Sequence, residues 1–335
     1  MTAPPARAHR AALDHVLALI AGSETAETLV LRGSMTLPAW LGERAREPGD
    51  LDWIVLPPHA VPIDPHDPYP YVDGPEAFQH WPEAVGGATA YELFRDENEA
   101  FETGGLHPRM PPEGTHWLPD PDTDQPGDPW VDVVPLVREN PVASHGVRFD
   151  TQGARFDSTW GYYAYGSDEQ SPGVRLFLPW EADGTRGEIQ LDFARDERLP
   201  EAPVFTLVPR IDGQEPTLVR TVSPELSLAW KLLWLHTDSG RDDRARGKDL
   251  HDAVLLAESP RVHLQRRLLE RVFARAAVTF DPGDIPGWNV DWHAFRNRHP
   301  RTRGSADDWL DRLVRAVGRI TDAAKDTGEP RSPHG

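Results

Sequence analysis

The residues best suited to chemistry in this chain lie in one run, LVLRGSMTLPAWLGERAREPGDLDWIVLP, residues 29–57. Its end predicts an apolar strand carrying Asp50 and Asp52, and residues two apart on a strand project from the same face. Two carboxylates side by side repel each other unless a cation stands between them, and hard oxygen ligands of this kind suit Mg²⁺. Upstream, Gly33 and Ser34 make a turn where a short amphipathic helix, residues 36–44, is expected to begin. Free N–H groups at a helix start favour a phosphate. A phosphate binder and a metal binder so close together outline a nucleotide site.

A third carboxylate, Asp192, lies in the apolar run GEIQLDF. On a buried strand it needs a partner or a metal. Were that strand beside the one with Asp50 and Asp52, three carboxylates would surround one or two cations, as in a two-metal clamp. The alternative is an Asp at a sheet edge facing solvent. Only three of the 35 Lys+Arg are lysines, Lys231, Lys248 and Lys325. Lysine binds phosphate as a point charge on a flexible stem, although chance survival in an arginine-biased chain accounts for a lysine equally well. Lys231 stands between Trp230 and Leu232, so it either snorkels or reaches into a cleft. Downstream, RARGKDLHD carries Arg244, Arg246, Lys248, Asp249 and Asp252. Asp249 and Asp252 share a helix face, which a solvated surface would also explain.

The elements that must position these groups can be read from periodicity. Residues 8–21 predict an amphipathic helix with Leu13, Val16, Leu17 and Ile20 on one face. Strands are expected at 158–165, 174–180, 188–193 and 204–209, with a further one at 218–222 and turns at Gly166, Asp183-Gly184 and Asp212-Gly213. From Ser223 the chain turns helical. SPELSLAWKLLWLHT opens with Ser223 as N-cap and Pro224 at the first helical position, and further helices fit 244–257, 262–276 and 306–324. Residues 58–155 are rich in Pro, Asp, Gly and His and read as a large insertion, with short helices expected around 75–84 and 90–100. Within it, Trp117, Trp130 and VDVVPLV suggest packing against something, and the acidic run between Asp120 and Asp128 reads as a solvated loop.

With 335 residues, the chain can bury a sizeable core and is expected to form two domains, 1–222 and 223–325, followed by a disordered tail, 326–335. No apolar run approaches the ~20 residues that span a bilayer, so a cytoplasmic protein with no membrane partner is expected. The absence of cysteine excludes disulfides, thiolate metal sites and cysteine nucleophiles. The net charge of −19 argues against a general nucleic-acid coat protein. Residues 220–320, however, hold 18 Lys/Arg against 14 Asp/Glu, so this third is +4 and the rest −23. An anionic partner would meet the C-terminal third.

The blocks GS, DLDW, GEIQLDF, SPELSLAWKLLWL and RGKDLHD, in this order, resemble the AbiEii/AbiGii toxin nucleotidyltransferases of the DNA polymerase beta-like superfamily. The resemblance runs from Gly33 to Asp252. It implies an α+β fold: a mixed nucleotidyltransferase sheet with flanking helices and a loop-rich insertion, then a helical C-terminal domain. By the same resemblance Gly33 and Ser34 hold the nucleotide phosphates, Asp50 and Asp52 bind Mg²⁺ (or Mn²⁺), and Asp192 is the third metal carboxylate. Lys231 resembles the family's phosphate-contacting lysine and Asp249 its essential aspartate, with Arg246, Lys248 and Asp252 in support. Family members often have Gly-Gly where this chain has Gly33-Ser34. Because the insertion is long, Asp132, Asp150 or Asp157 could take the place of Asp192.

The implied activity is Mg²⁺-dependent transfer of an NMP from an NTP, such as ATP, to an acceptor hydroxyl. RNA, such as a tRNA 3′ end, is the expected acceptor, in a toxin–antitoxin or phage-defence setting with an antitoxin partner. A small cationic molecule or a protein hydroxyl is the alternative acceptor. A degenerate fold acting as a binding module is the non-enzymatic alternative.

Overall fold

The computed structural model describes residues 4–55, 61–62, 78–85, 88–95, 115–116, 129–163, 170–195, 199–201, 203–239 and 245–326. In chain order the elements begin with helix α1 (Pro4–Ala21), strand β1 (Leu29–Arg32), helix α2 (Leu37–Leu41) and strand β2 (Leu51–Val55). Next come β3 (Val61–Pro62), β4 (Phe78–Val85), β5 (Ala88–Arg95), β6 (Thr115–His116) and α3 (Pro129–Glu139). The sheet then continues through β7 (Arg148–Phe149), β8 (Arg155–Asp157), β9 (Gly161–Tyr163), β10 (Gln170–Ala182), β11 (Thr185–Ala194), β12 (Val204–Val208) and β13 (Thr217–Thr221). The rest is mostly helical: α4 (Pro224–Ser239), β14 (Ala245–Arg246), α5 (Gly247–Ala257), α6 (Arg266–Arg275), β15 (Val290–Asp291), α7 (Trp292–Arg298) and α8 (Ala306–Asp326). The expected α+β arrangement, a mixed sheet with helices and a helical C-terminal part, is what the chain forms.

The chain divides into two compact units. The first comprises Met1–Arg32, Pro48–Tyr162 and Ser171–Val222. Its sheet runs in the order β12-β13-β1-β2-β11-β10-β7, with β8 and β9 also paired to β10. The β1–β13 and β2–β11 pairs are parallel, whereas β1–β2 and β10–β11 are antiparallel. The long β10–β11 hairpin turns at Asp183 and Gly184, both with positive φ (47° and 77°). That is the type I′ geometry whose twist suits a two-residue hairpin. Helix α1 packs on the sheet through the predicted stripe: Leu13, Val16, Leu17 and Ile20 are buried. Its Asp14 is buried too, held by Arg10 and the Ile211 N–H.

The second unit comprises Gly33–Glu47, Tyr163–Gln170 and Ser223–Gly335. Helix α4 is its centre and is buried on nearly every face, from Leu226 through Leu233 to Leu235, as expected of a helix surrounded by others. Ser223 caps it as predicted, its Oγ accepting the Leu226 N–H at 2.9 Å. Helices α5 and α6 and strand β14 pack on α4. The end of α5 is tied to α8 by a two-pronged Arg312–Glu258 pair, each contact 2.8 Å, and Arg44 adds a third contact to Glu258.

Several expectations are corrected. The stretches around 75–84 and 90–100 are not helical over β4 and β5, which pair as an antiparallel hairpin. The Gly86-Gly87 step between them is a hairpin signal that breaks a helix. The 158–165 strand is interrupted, because Asp157 accepts the Thr159 N–H and hydroxyl and turns the chain before β9. The 36–44 helix is only α2, since Gly42 adopts a left-handed φ of 58° and ends it. The 244–257 helix starts at Gly247, because Ala245 and Arg246 pair instead with Val290 and Asp291. VDVVPLV lies in helix α3, with Trp130, Val133, Val134 and Val137 buried along one face. Trp117, the Asp120–Asp128 run and, apart from Asp326, the tail expected to be disordered lie outside the described residues.

Candidate active site

In the first unit the sheet register builds a row of charges. Asp52 on β2 stands opposite Asp192 on the parallel neighbour β11. On its other side Arg32 of β1 is opposite Asp52. Beyond Asp192 the register continues to Arg175 on β10 and then to Asp157 on β8. Residues in register on adjacent strands share a face, at a strand spacing of roughly 4.8 Å. The row therefore reads cation, anion, anion, cation, anion across five strands.

The two central like charges are the feature that needs explaining, since like charges directly opposite each other destabilise a sheet. Asp192, 7% exposed, is stabilised by Arg175 in a two-pronged pair, Nε to Oδ1 and Nη2 to Oδ2, both at 2.7 Å. Gln190 donates its amide to both oxygens at 3.1 and 3.0 Å. The Arg175 guanidinium lies 4.8 Å from the Trp160 ring centroid. Its hydrogen bonds to Asp192, and the charges of Asp192, Asp157 and Asp52, raise its pKa above the usual arginine value. Asp52 itself is half-buried. Asp50 lies one residue before β2 rather than within it, and the His9 ring nitrogen Nε2 donates to the carbonyl of neighbouring Gly49 at 3.0 Å.

Of the four candidates for third carboxylate, Asp192 stands in register with Asp52. Asp150 accepts the Gln152 and Gly153 N–H groups in a turn, and Asp132 is exposed on α3. Asp157 lies at the far end of the row. The donor set around Asp50 and Asp52 is of the hard-oxygen type that divalent cations prefer. Asp192 fits less well, since both its oxygens are already engaged by Arg175 and Gln190. Among the described residues no group of three or more His, Asp or Glu is arranged to hold a metal ion.

The second unit holds a different cluster. Lys231 on α4 neither snorkels nor opens to solvent: it is 3% exposed. Its Nζ donates to Asp249 Oδ1 at 2.9 Å and lies 3.2 Å from Asp252 Oδ2, both on α5. Arg46 Nε lies 3.2 and 3.1 Å from the two oxygens of Asp252. His251 Nδ1 is 3.3 Å from Oδ1. Asp249 and Asp252 thus share a face as the sequence predicts, but that face is buried. Burial alone would lower the Lys231 pKa and raise that of Asp252. The opposite charges outweigh it: Asp249 and Asp252 hold Lys231 above the usual lysine value, while Lys231 and Arg46 hold Asp252 far below the usual carboxylate value. The His251 ring stacks on Trp309 at 5.0 Å between centroids.

The remaining predicted residues are also in this unit. Gly33 takes a left-handed φ of 77° at the start of a short 3₁₀ turn, and its carbonyl accepts the Thr36 hydroxyl at 2.8 Å. Ser34 is buried, Lys248 half-buried in the first turn of α5, and Arg246 exposed on β14. Sequence reasoning missed Arg175, Gln190 and Arg46. Arg175 carried a usable signal, because counting outward from the predicted Asp183-Gly184 turn puts it opposite Asp192. Arg46 carried none, being 206 residues from Asp252.

Comparison with known proteins gives three findings. No curated protein matches the chain. Among solved structures, JHP933 from Helicobacter pylori is 12% identical, with 97% of this chain and 96% of that one covered and a TM-score of 0.49. A protein from H. pylori described provisionally as a nucleotidyltransferase is 11% identical, with 98% and 100% covered and a TM-score of 0.48. Residues 138–315 match the family described as nucleotidyl transferase AbiEii toxin, Type IV TA system. That match takes in just over half of the chain, including Arg175, Asp192, Lys231, Asp249 and Asp252, so the chain belongs to the AbiEii toxin family and is a nucleotidyltransferase.

Proposed function

We propose that the chain transfers an NMP from an NTP, ATP among the candidates, to a hydroxyl of an acceptor RNA such as a tRNA 3′ end, as the toxin partner of an antitoxin. The observation that carries this reading is the in-register Asp52–Asp192 pair on parallel neighbouring strands. Two adjacent carboxylates on a sheet are electrostatically costly and are kept where a polyphosphate and its counter-cation must be gripped. In the reaction the acceptor oxygen attacks the α-phosphorus, the bond to the β-phosphate oxygen breaks, and pyrophosphate leaves. Such transfers depend mostly on positioning and charge neutralisation. A divalent cation, Mg²⁺ or Mn²⁺, held by Asp50 and Asp52 with Asp192 as the third candidate ligand, supplies neutralisation of the triphosphate when bound.

The chain's own residues then do the following. Arg175 and Gln190 fix the direction of the Asp192 carboxylate through four hydrogen bonds. Gly33, Ser34, Arg246 and Lys248 are proposed to meet nucleotide phosphates. Lys231 holds Asp249 and Asp252 in place in the interior, which makes it a positioning residue as well as the phosphate contact that the family resemblance implies. In domain terms, residues 1–222 are assigned the transfer chemistry and 223–325 the helical part.

The test is incubation with each α-³²P-labelled NTP, Mg²⁺ and either total RNA or a panel of cationic small molecules. Label on RNA, lost in Asp52→Asn, is expected. Label only on small molecules would remove RNA as acceptor, and no label with any acceptor would remove the transfer reading.

A further inference from the structure

The basic residues of the second unit are not evenly spread. From His293 to Arg303 the sequence HAFRNRHPRTR holds Arg296, Arg298, Arg301 and Arg303 and no acidic residue. All four arginines are exposed, and among the described residues none forms a salt bridge. A run of charges on a solvated loop is common, but this one is built on a rigid support. The Trp292 indole N–H donates to the Gly304 carbonyl at 3.0 Å, and the Trp309 indole N–H to the Arg303 carbonyl at 2.8 Å. The loop between α7 and α8 is thereby fixed at its end by two buried rings, so its arginines are presented in place. Ordering them on binding costs less entropy than ordering a free loop.

Beside these arginines is a cavity of about 560 Å³, within the range of small-ligand sites. Its lining includes Trp292, His293, Arg296, Asn297 and Ser305. On α7, His293, Arg296 and Asn297 are three and four residues apart and so share one face. An aromatic edge, a guanidinium, a carboxamide, an imidazole and a hydroxyl form a lining suited to one nucleotide: the base against the ring, the sugar hydroxyl on the amide or imidazole, the phosphate on arginine. The acids nearest in sequence are Asp291, Asp307 and Asp308. Asp291 accepts the Ala294 N–H at the start of α7, and Asp308 accepts the Ser305 N–H and hydroxyl at the start of α8.

We propose that the α7–α8 surface binds the acceptor RNA strand, with one nucleotide in this cavity and the neighbouring phosphates on Arg296, Arg301 and Arg303. A protein of net charge −19 can do this because charges beyond a Debye length of about 8 Å are screened, so the local patch governs the contact. The choice of RNA over another polyanion rests on the acceptor assigned above.

The experiment measures binding of a fluorescent single-stranded RNA 12-mer by anisotropy, without NTP or divalent ions, at several salt concentrations. Matched DNA and polyglutamate are competitors. The wild type and Asp52→Asn proteins should bind alike. Arg296→Ala/Arg301→Ala/Arg303→Ala should bind about 10-fold more weakly at low salt, with the slope of log K against log salt reduced by roughly 2. The Arg→Lys triple variant, with charge kept and packing unchanged, should retain most of that slope. Failure of the wild type to bind RNA, an unchanged slope in the Ala variant, or equal competition by DNA or polyglutamate would each overturn the proposal. Because Asp52→Asn reports on transfer and not on binding, loss of the transfer reading and loss of this surface give different results.

Discussion

The two units each contain a pair of aspartates, and they treat the charge in opposite ways. In the first, Asp52 and Asp192 stand in register with like charges adjacent, and arginines lie on either side of the pair. In the second, Asp249 and Asp252 are buried on one helix and share Lys231, while Arg46 completes the neutralisation of Asp252. In the first, Asp52 is half-buried and Asp192 is engaged by Arg175 and Gln190. The second is a closed network in which each charge has its partner. The two pairs thus use the same residue types with two cations each, and the half-buried Asp52 is what sets the first apart from the fully buried second.

Breaking the closed network should have the largest effect on stability. Lys231→Ala leaves two buried carboxylates short of a cation, and a loss of about 3–5 kcal/mol is expected, read as a drop in the urea midpoint. A midpoint close to wild type would mean that the cluster is wetter than its burial indicates. Next, Asp52→Asn in the first unit should lower transfer by about 10²–10³-fold while stability holds or rises by up to about 1 kcal/mol, because like-charge repulsion in the sheet is relieved. If it instead destabilised the fold, the contrast between the two pairs would collapse.

Arg175→Met should cost about 1–2 kcal/mol, measured again by denaturant. It removes a two-pronged hydrogen-bonded charge pair that is partly exposed. The smallest effect concerns His299, whose pKa is lowered by burial and by the charges of Arg46 and His251. Between its lowered folded value and the usual 6.5, the unfolded chain binds the proton more readily. Stability therefore falls as pH drops through that window. His299→Gln should flatten this part of a Tm–pH profile, and an unchanged slope would assign the acid sensitivity elsewhere.

Much of this organisation is legible before folding, and the exceptions have physical reasons. The stripe on α1, the Ser223-Pro224 start of α4 and the shared face of Asp249 and Asp252 follow from local periodicity and capping, which act over one or two turns. Helix α3 carries such a signal too, with buried residues at 130, 133, 134 and 137, although Pro135 interrupts the run. Short helices are expected around 75–84 and 90–100, whereas Gly86-Gly87 marks the hairpin that β4 and β5 form. What could not be read were partners brought together across long separations. Nothing near Lys231 in the sequence says that its charge is matched by two carboxylates. The pairing of Asp192 with Arg175 was encoded in hairpin arithmetic, whereas that of Asp252 with Arg46 needed the fold.

The way β11 reaches its place beside β2 has a further consequence for how the sequence can change. β11 is held by its own tight hairpin to β10, and its register with β2 is set by the parallel ladder from Leu191↔Leu51 to Ala194↔Ile54. The chain between β2 and α3 therefore does not determine which residue faces Asp52. A one-residue slip of β11 would put Leu191 or Phe193 there, so register is guarded by side-chain burial, not by connection length. Closing a longer loop costs only about 0.6 kcal/mol per doubling. Insertions and deletions between residues 56 and 128 can thus accumulate while the carboxylate pair stays where it is, which makes this segment the natural place to splice in a tag or reporter domain.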